Sequence, residues 1–146
     1  MSPANPTPDY AGDLSAEDAW ALLKRDPNAT LVDVRTRAEW NFVGLPDLSS
    51  LGRDVALIEW QVFPTMQVNP GFVADTQAAT GPDKDAPVLF LCRSGARSRS
   101  AAIALTQAGY SKAYNVAGGF EGDLDGERHR GHRNGWKAAG LPWKQT

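Results

Sequence analysis

One cysteine stands where a buried strand is predicted to end, and three arginines follow it closely. The stretch VLFLCRSGARS runs from Val88 to Ser98, and Cys92 is the only cysteine among the 146 residues. A thiol reacts as the thiolate, which an ordinary cysteine forms only in small part at neutral pH. A lone cysteine is by default a small buried hydrophobe, but this loop predicts an activated nucleophile.

Three features of the loop favour a sulfur anion on Cys92. Successive backbone N–H groups of a tight loop form an anion-binding nest, and Gly95 lets the backbone approach closely. The helix predicted to follow adds the partial positive charge of its N-terminus. Arg93 and Arg97 add further positive charge, whereas Arg99 falls in the first helical turn, where a surface role is favoured.

Alternating strands and helices must position this loop. APVLFLC has the length and composition of a strand buried on both faces, and TLVDVR and KAYNV are shorter strand candidates. The other predicted elements are a strand over 55–63, helices capped by Ser15 and Thr36, a helix with Asn69 as its cap and Pro70 in its first position, and a helix over 98–108. This order is typical of an α/β domain with a mostly parallel central sheet and helices on both faces. Sites in such sheets form where strands end and helices begin.

Composition and charge exclude several classes of function. The net charge is −2, from 15 basic and 17 acidic residues, so neither nucleic acid nor an anionic membrane is expected as a partner. No apolar run reaches the roughly 20 residues of a membrane-spanning helix, and one cysteine forms no internal disulfide. We expect a cytoplasmic protein with a flexible Pro-rich leader over 1–12 and one domain over 13–146. That domain includes a polar excursion at 121–135 and a C-terminal tail packed on the body.

Three stretches together resemble the rhodanese-like sulfurtransferase family. They are LVDVRTRAEW, the loop CRSGARS between a strand and a helix, and YNVAGGFEG after that helix. The resemblance covers most of the chain and implies a single three-layer rhodanese-like domain that needs no cofactor. In the family, the loop cysteine takes a sulfane sulfur from a donor, holds it as a persulfide and passes it to a nucleophile. By resemblance, that role falls on Cys92.

The resemblance also implies how the persulfide and the substrates are held. Main-chain N–H groups of the loop would bind the persulfide, and Arg97 would close the loop. Arg93, beside the cysteine, fits a small anionic donor such as thiosulfate. Cyanide, a thiol or a protein acceptor would then collect the sulfur. The residues expected to bind substrate or persulfide are Arg93, Ser94, Gly95, Ala96, Arg97 and Ser98.

Asp33 and Arg35 end a predicted strand, and their types could suggest catalysis, but a structural role is favoured. We expect Arg35 to pair with Glu39 four residues later, as the resemblance also implies, and Asp33 to lie near the pocket floor. The chain departs from the family just after this element. Many members carry Gly-His-Ile-Pro-Gly there, whereas this chain has FVGLPDL over 42–48, which changes the pocket rim but not the nucleophile.

Two other groups of residues favour structural roles. His129 and His132 are three residues apart, but zinc needs more ligands than these two readily supply, so no metal is expected. The segment around them is expected to be solvated and could shield one side of the site. The five tryptophans are expected to pack in the core or to pin the tail: Trp20, Trp40, Trp60, Trp136 and Trp143.

Two rival functions remain open from the sequence. A phosphatase or arsenate reductase of related fold would also use a loop cysteine, but four residues separate Cys92 from Arg97. Cysteine-dependent phosphatases use a loop longer by one residue, because a tetrahedral phosphate is bulkier than one added sulfur. A non-catalytic binding module of the same fold is the second rival, but such modules often lack the cysteine. The leading hypothesis is a sulfurtransferase of the thiosulfate:cyanide class.

Overall fold

A computed structural model describes residues 9–62 and 65–145. Within these ranges the helices are α1 (Ala16–Arg25), α2 (Arg37–Val43), α3 (Phe72–Thr80), α4 (Ala96–Gln107) and α5 (Gly135–Ala138). The strands are β1 (Gly12–Leu14), β2 (Thr30–Asp33), β3 (Leu45–Pro46), β4 (Ala56–Leu57), β5 (Gln61–Val62), β6 (Gln67–Val68), β7 (Val88–Leu91), β8 (Ala113–Val116) and β9 (Trp143–Lys144).

Five of these strands form the central sheet, in the order β1-β8-β7-β2-β4. Every pairing within it is parallel, so the predicted mostly parallel α/β sheet is confirmed. Two small antiparallel pairs, β3 with β9 and β5 with β6, lie outside it. The carboxyl ends of β2, β7 and β8 therefore lie next to one another at one edge, where polar loops meet.

The central strand β7 is buried on both faces, because core packs on each side of the sheet. Alternate residues of a strand point to opposite faces. Leu89 and Leu91 belong to the cluster that contains α1 and Trp136. Val88, Phe90 and Cys92 belong to the cluster that contains α3 and α4. The same alternation therefore places the Cys92 side chain on the face covered by α4.

Two helices begin where the sequence predicts, and two begin at other residues. The Ser15 hydroxyl caps α1, and Thr36 caps α2 within a capping box. α3 begins after Gly71 as N-cap, not after Asn69, because the Asn69 side chain accepts a hydrogen bond from the Gly71 N–H and closes a separate turn. α4 begins at Ala96, two residues earlier than predicted, which brings its N-terminus closer to the cysteine.

The predicted strand over 55–63 is divided in two. β4 joins the central sheet and β5 forms a hairpin with β6, while Phe63 lies outside the described residues. β1 was not predicted from sequence, because three residues are too few to show an alternation of apolar side chains. It pairs with β8 from Gly12 onward, so the segment expected to be a leader over 1–12 reaches the sheet, and 1–8 lie outside the described residues.

The tail packs on the body through Trp136, which is fully buried and makes an edge contact with Trp20 at 5.8 Å. Its indole N–H donates to the Pro142 carbonyl at 2.7 Å. Trp143 is 40% exposed and lies outside the core, but its ring makes an edge contact with Phe120 at 6.2 Å, and Lys137 Nζ lies 4.1 Å above it. The excursion over 121–135 is mostly exposed. No helix in 9–62 or 65–145 is long and apolar enough to cross a membrane.

Candidate active site

Cys92 follows directly on β7, at the carboxyl edge of the sheet, and its loop leads into α4. The backbone turns sharply at Gly95, whose φ is +117°, a conformation that favours glycine. This turn directs the Gly95 N–H back toward the thiol. The strand, loop and helix predicted around the cysteine are therefore all present, with the cysteine beside the first turn of α4.

The thiol is buried but it has polar partners. Its residue is 1% exposed and lies in the apolar cluster on the α4 face. The Gly95 N–H donates to Sγ at 3.0 Å, and the Ser98 hydroxyl oxygen lies 3.2 Å from Sγ. One backbone dipole and one hydroxyl thus converge on the sulfur, together with the positive end of α4.

The other loop residues differ in exposure. Arg93 and Ala96 are exposed, Ser94 and Arg97 are half-buried, and Gly95 and Ser98 are buried. Arg99 is exposed on the first turn of α4, in agreement with the surface role expected for it. Of the two arginines predicted to bind substrate or persulfide, Arg93 is exposed to solvent and Arg97 is half-buried.

The glycine-rich turn after β8 supports the backbone of the cysteine loop from behind. The Phe120 N–H donates to the Cys92 carbonyl at 2.7 Å, and the Glu121 N–H donates to the Arg93 carbonyl at 3.0 Å. A Cβ on Gly119 would lie 2.6 Å from the Arg93 carbonyl carbon, and its φ is +62°. Only glycine fits this close approach, so the turn fixes the position of the loop.

The prediction of an ion pair between Arg35 and Glu39 is wrong. Arg35 is fully buried and pairs with Asp33, with its Nη2 2.6 Å from the carboxylate and its Nε 2.9 Å away. Residues two apart point to the same face of a strand, which explains why these two meet. Arg35 Nη2 also donates to the Gly44 carbonyl at 2.7 Å. Asp33 is therefore fully buried, and the charge of Arg35 balances its own.

Glu39 instead reaches the cysteine loop. Its two carboxylate oxygens accept from the two Nη groups of Arg97 at 2.7 and 2.9 Å. Burial opposes the charge on both groups, but the pair more than offsets it. The pKa of Glu39 therefore lies below its usual value and the pKa of Arg97 lies above its usual value. A thiolate charge on Cys92 is a further cause that raises the pKa of Arg97, so the guanidinium lies within electrostatic reach of the thiol.

The Glu39–Arg97 pair predicts a specific pH dependence of stability. A depressed carboxyl pKa stabilises the fold above the unfolded-state pKa, and that stabilisation is lost as pH falls through the folded-state pKa. Unfolding free energies measured by urea titration are expected to fall more steeply below about pH 4.5 in the wild type than in Glu39→Gln. The difference is expected to be at most about 1 kcal/mol, since the pair is half-exposed. Glu127→Gln, in the exposed excursion, is the control, and its stability should depend on pH as in the wild type. If Glu39→Gln shows the same pH dependence as the wild type, the ion pair does not stabilise the fold.

Sequence reasoning missed one residue of the site, Asn115. It is 1% exposed on β8, and its Oδ1 accepts from the Ser98 hydroxyl at 2.5 Å. Its Nδ2 donates to Asp13 on β1 at 3.0 Å. The signal in the sequence was a polar side chain inside a predicted buried strand, since buried polar groups require partners.

His129 and His132 are both exposed, in the excursion over 121–135. His132 Nδ1 is 3.9 Å from an Asp125 oxygen, and the two imidazole rings are 6.3 Å apart. Within the part of the chain that the structure describes, no group of three or more His, Cys, Asp or Glu side chains could hold a metal ion.

Known proteins share both the sequence and the fold. The family described as the STR4 middle domain matches residues 11–146. The crystal structure of Rv0390 from M. tuberculosis is 52% identical, with a TM-score of 0.85, covering 94% of this chain and 99% of that one. Protein RC0915 of Rickettsia conorii is 38% identical over 126 residues, 86% of this chain and 91% of the relative. The thiosulfate sulfurtransferase GlpE of Tolumonas auensis is 33% identical over 109 residues, 75% of this chain and 84% of the relative.

These likenesses extend over nearly the whole chain, and they coincide with the strand, loop and helix that hold Cys92. The chain belongs to the rhodanese-like family of sulfurtransferase domains.

Proposed function

We propose that this protein is a sulfurtransferase that carries a sulfane sulfur as a persulfide on Cys92. The observation that carries the proposal is the Gly95 N–H, which donates to the buried Cys92 sulfur at 3.0 Å where α4 begins. This N–H and the positive end of α4 suit an anionic sulfur, since hydrogen bonds to a charged acceptor are stronger than neutral ones. A small anion such as thiosulfate is the proposed donor, and cyanide or a thiol, including one on a protein, is the proposed acceptor.

The proposed reaction is a double displacement. The Cys92 thiolate attacks the outer sulfur of thiosulfate, a new sulfur–sulfur bond forms, and the donor's own sulfur–sulfur bond breaks to release sulfite. The acceptor then attacks the outer sulfur of the persulfide, and its electron pair displaces the Cys92 thiolate. No net oxidation occurs and no cofactor is needed. The reaction requires a reduced thiol, which fits a cytoplasmic protein.

Arg97 and Arg93 have different parts in this proposal. Both Nη groups of Arg97 donate to Glu39. Arg97 therefore fixes the position of the loop and contributes positive electrostatic potential at the thiol. Arg93 is exposed beside the cysteine, and its proposed role is to bind the negatively charged donor. The proposed domain over 13–146 contains all of these residues.

Arg93→Ala is expected to raise KM for thiosulfate about tenfold with little change in kcat, because one charge-assisted contact to the bound donor is lost. Steady-state assays over a range of thiosulfate concentrations measure both constants. Arg99→Ala is the matched control, since it removes an equal charge from an exposed position on the first turn of α4. An equal rise in KM for both variants would mean that general surface charge, not Arg93, attracts the donor.

Thiosulfate:cyanide transfer should be assayed beside hydrolysis of p-nitrophenyl phosphate on the same preparation. The proposal predicts thiocyanate formation and no phosphate release. The four-residue spacing between Cys92 and Arg97, and the similarity to a protein named thiosulfate sulfurtransferase, support that outcome. Phosphate release without thiocyanate formation would instead favour the phosphatase, and inactivity with both substrates would favour a binding module.

A further inference from the structure

A buried chain of polar side chains links the thiol to the edge strand of the sheet. The Ser98 hydroxyl oxygen on α4 lies 3.2 Å from Cys92 Sγ, and this hydroxyl donates to Asn115 Oδ1 on β8 at 2.5 Å. Asn115 Nδ2 donates to an Asp13 oxygen on β1 at 3.0 Å, and the Tyr10 hydroxyl donates to the same oxygen at 2.8 Å. Ser98 and Asn115 are buried, so water does not replace these bonds readily.

Asp13 determines which end of the Asn115 amide faces Ser98. A carboxylate accepts hydrogen bonds but does not donate, so the amide NH2 group points to Asp13 and the amide oxygen to Ser98. An amide oxygen is also only an acceptor, so the single hydroxyl proton of Ser98 belongs to the bond with Asn115. The sulfur of Cys92 then faces a lone pair of the Ser98 oxygen, a contact that is favourable when the thiol donates its own proton.

We propose that Asn115, oriented by Asp13, is a positioning residue that withholds the Ser98 hydroxyl from Cys92 and so restrains the formation of the thiolate. When the thiol loses its proton to solvent, the Ser98 hydroxyl must turn to donate to the sulfur. The buried Asn115 oxygen then loses its donor, and a buried acceptor without a partner is unfavourable. The proposal rests on the proposed function only in naming Cys92 as the reacting group.

The other titratable groups near this chain are carboxyl and guanidinium groups and the Tyr10 hydroxyl. Carboxylates and guanidiniums do not titrate between about pH 6 and 9. Burial, with help from the hydrogen bond to Asp13, raises the pKa of Tyr10 further above that range. A change in the pH profile within this range therefore reports on Cys92. The charged groups on the surrounding elements are Asp13 from β1, Asp33 and Arg35 from β2 and its end, Glu39 from α2, Arg93 from the loop, and Arg97 and Arg99 from α4, with Arg99 beside Tyr10.

The test is the rate at which iodoacetamide alkylates the protein as a function of pH. Cys92 is the only cysteine, so the rate reports on this thiol alone and needs no sulfur donor. Asn115→Leu keeps a similar shape and removes the acceptor. Alkylation is expected to be about tenfold faster near neutral pH, with the midpoint of the profile moved to lower pH, because the Ser98 hydroxyl is free to donate to the sulfur.

Ser98→Ala supplies the matched control. In that background Asn115→Leu is expected to leave the alkylation profile unchanged, because the hydroxyl through which Asn115 acts is absent. Acceleration that persists in the Ser98→Ala background would mean that the thiol has merely become more exposed, and the proposal would be wrong.

Asp13→Ala tests the same proposal at the other end of the polar chain. Asp13 is exposed, so the variant is expected to fold. Without the carboxylate, the Asn115 amide is free to turn and present its NH2 group to Ser98. Faster alkylation is expected again, and it should again depend on the Ser98 hydroxyl. Unchanged or slower alkylation in Asp13→Ala, or in a folded Asn115→Leu, would overturn the proposal. If Asn115→Leu does not fold, Asp13→Ala alone decides.

Discussion

Replacing Cys92 by serine is expected to abolish sulfur transfer, with a fall in rate of at least about 10³-fold, and to leave the fold intact. The serine oxygen can accept the hydrogen bond that the Gly95 N–H gives to sulfur, so the loop keeps its geometry. It cannot form a persulfide, however, and a neutral hydroxyl is a weak nucleophile. Thiocyanate formation measures the loss, and thermal unfolding followed by circular dichroism measures the fold.

The control for this prediction is Ser100→Ala, which removes one exposed hydroxyl from the same helix and should keep both activity and melting temperature. A Cys92→Ser protein that still makes thiocyanate at a rate near the wild type would show that another group carries the sulfur. A large fall in its melting temperature would show that the cysteine contributes mainly to packing.

Asp33→Asn is expected to lower the free energy of unfolding by about 3 to 5 kcal/mol, because it leaves the Arg35 guanidinium buried without its counter-charge. Both side chains are 0% exposed. The carboxylate accepts from Arg35 Nε and Nη2 and from the Arg35 backbone N–H at 3.1 Å. Urea titration at neutral pH measures the loss, and the m-value shows whether unfolding remains two-state.

The partly exposed pair of Glu39 and Arg97 is the natural comparison. Glu39→Gln removes a carboxylate whose side chain is 22% exposed, so its loss is expected to be about 1 kcal/mol or less. Replacing both members of the buried pair, as in Asp33→Leu with Arg35→Met, should destabilise the protein less than Asp33→Asn alone. An Asp33→Asn variant as stable as Glu39→Gln would contradict the buried pair.

Local signals in the sequence predicted the elements that hold the nucleophile. APVLFLC has the apolar continuity of a doubly buried strand, and the observed β7 lies within it, directly before Cys92. Ser15 and Thr36 predicted the starts of α1 and α2, because a cap is a contact between neighbours in the chain. Two-residue strands such as β3 and β9 carry no such signal, since their pairing joins segments nearly a hundred residues apart.

The pairing of charges was less predictable than the elements. Helical spacing favoured Arg35 with Glu39, but Arg35 follows a strand, where the side chain two residues earlier lies on the same face. Glu39 lies on α2 and contacts Arg97 across 58 positions of sequence, a contact that only the fold creates. Asn115 could be noticed as a polar residue in a buried strand, but its partners on α4 and β1 depend on the order of strands in the sheet.

Intact mass spectrometry after treatment with thiosulfate tests the central claim most directly. The account predicts that the protein gains the mass of one sulfur atom, that cyanide removes it, and that Cys92→Ser gains nothing. Because the chain has one cysteine, the adduct needs no further assignment. A reduced, folded protein that gains no sulfur while its thiol remains free to alkylation would contradict the account.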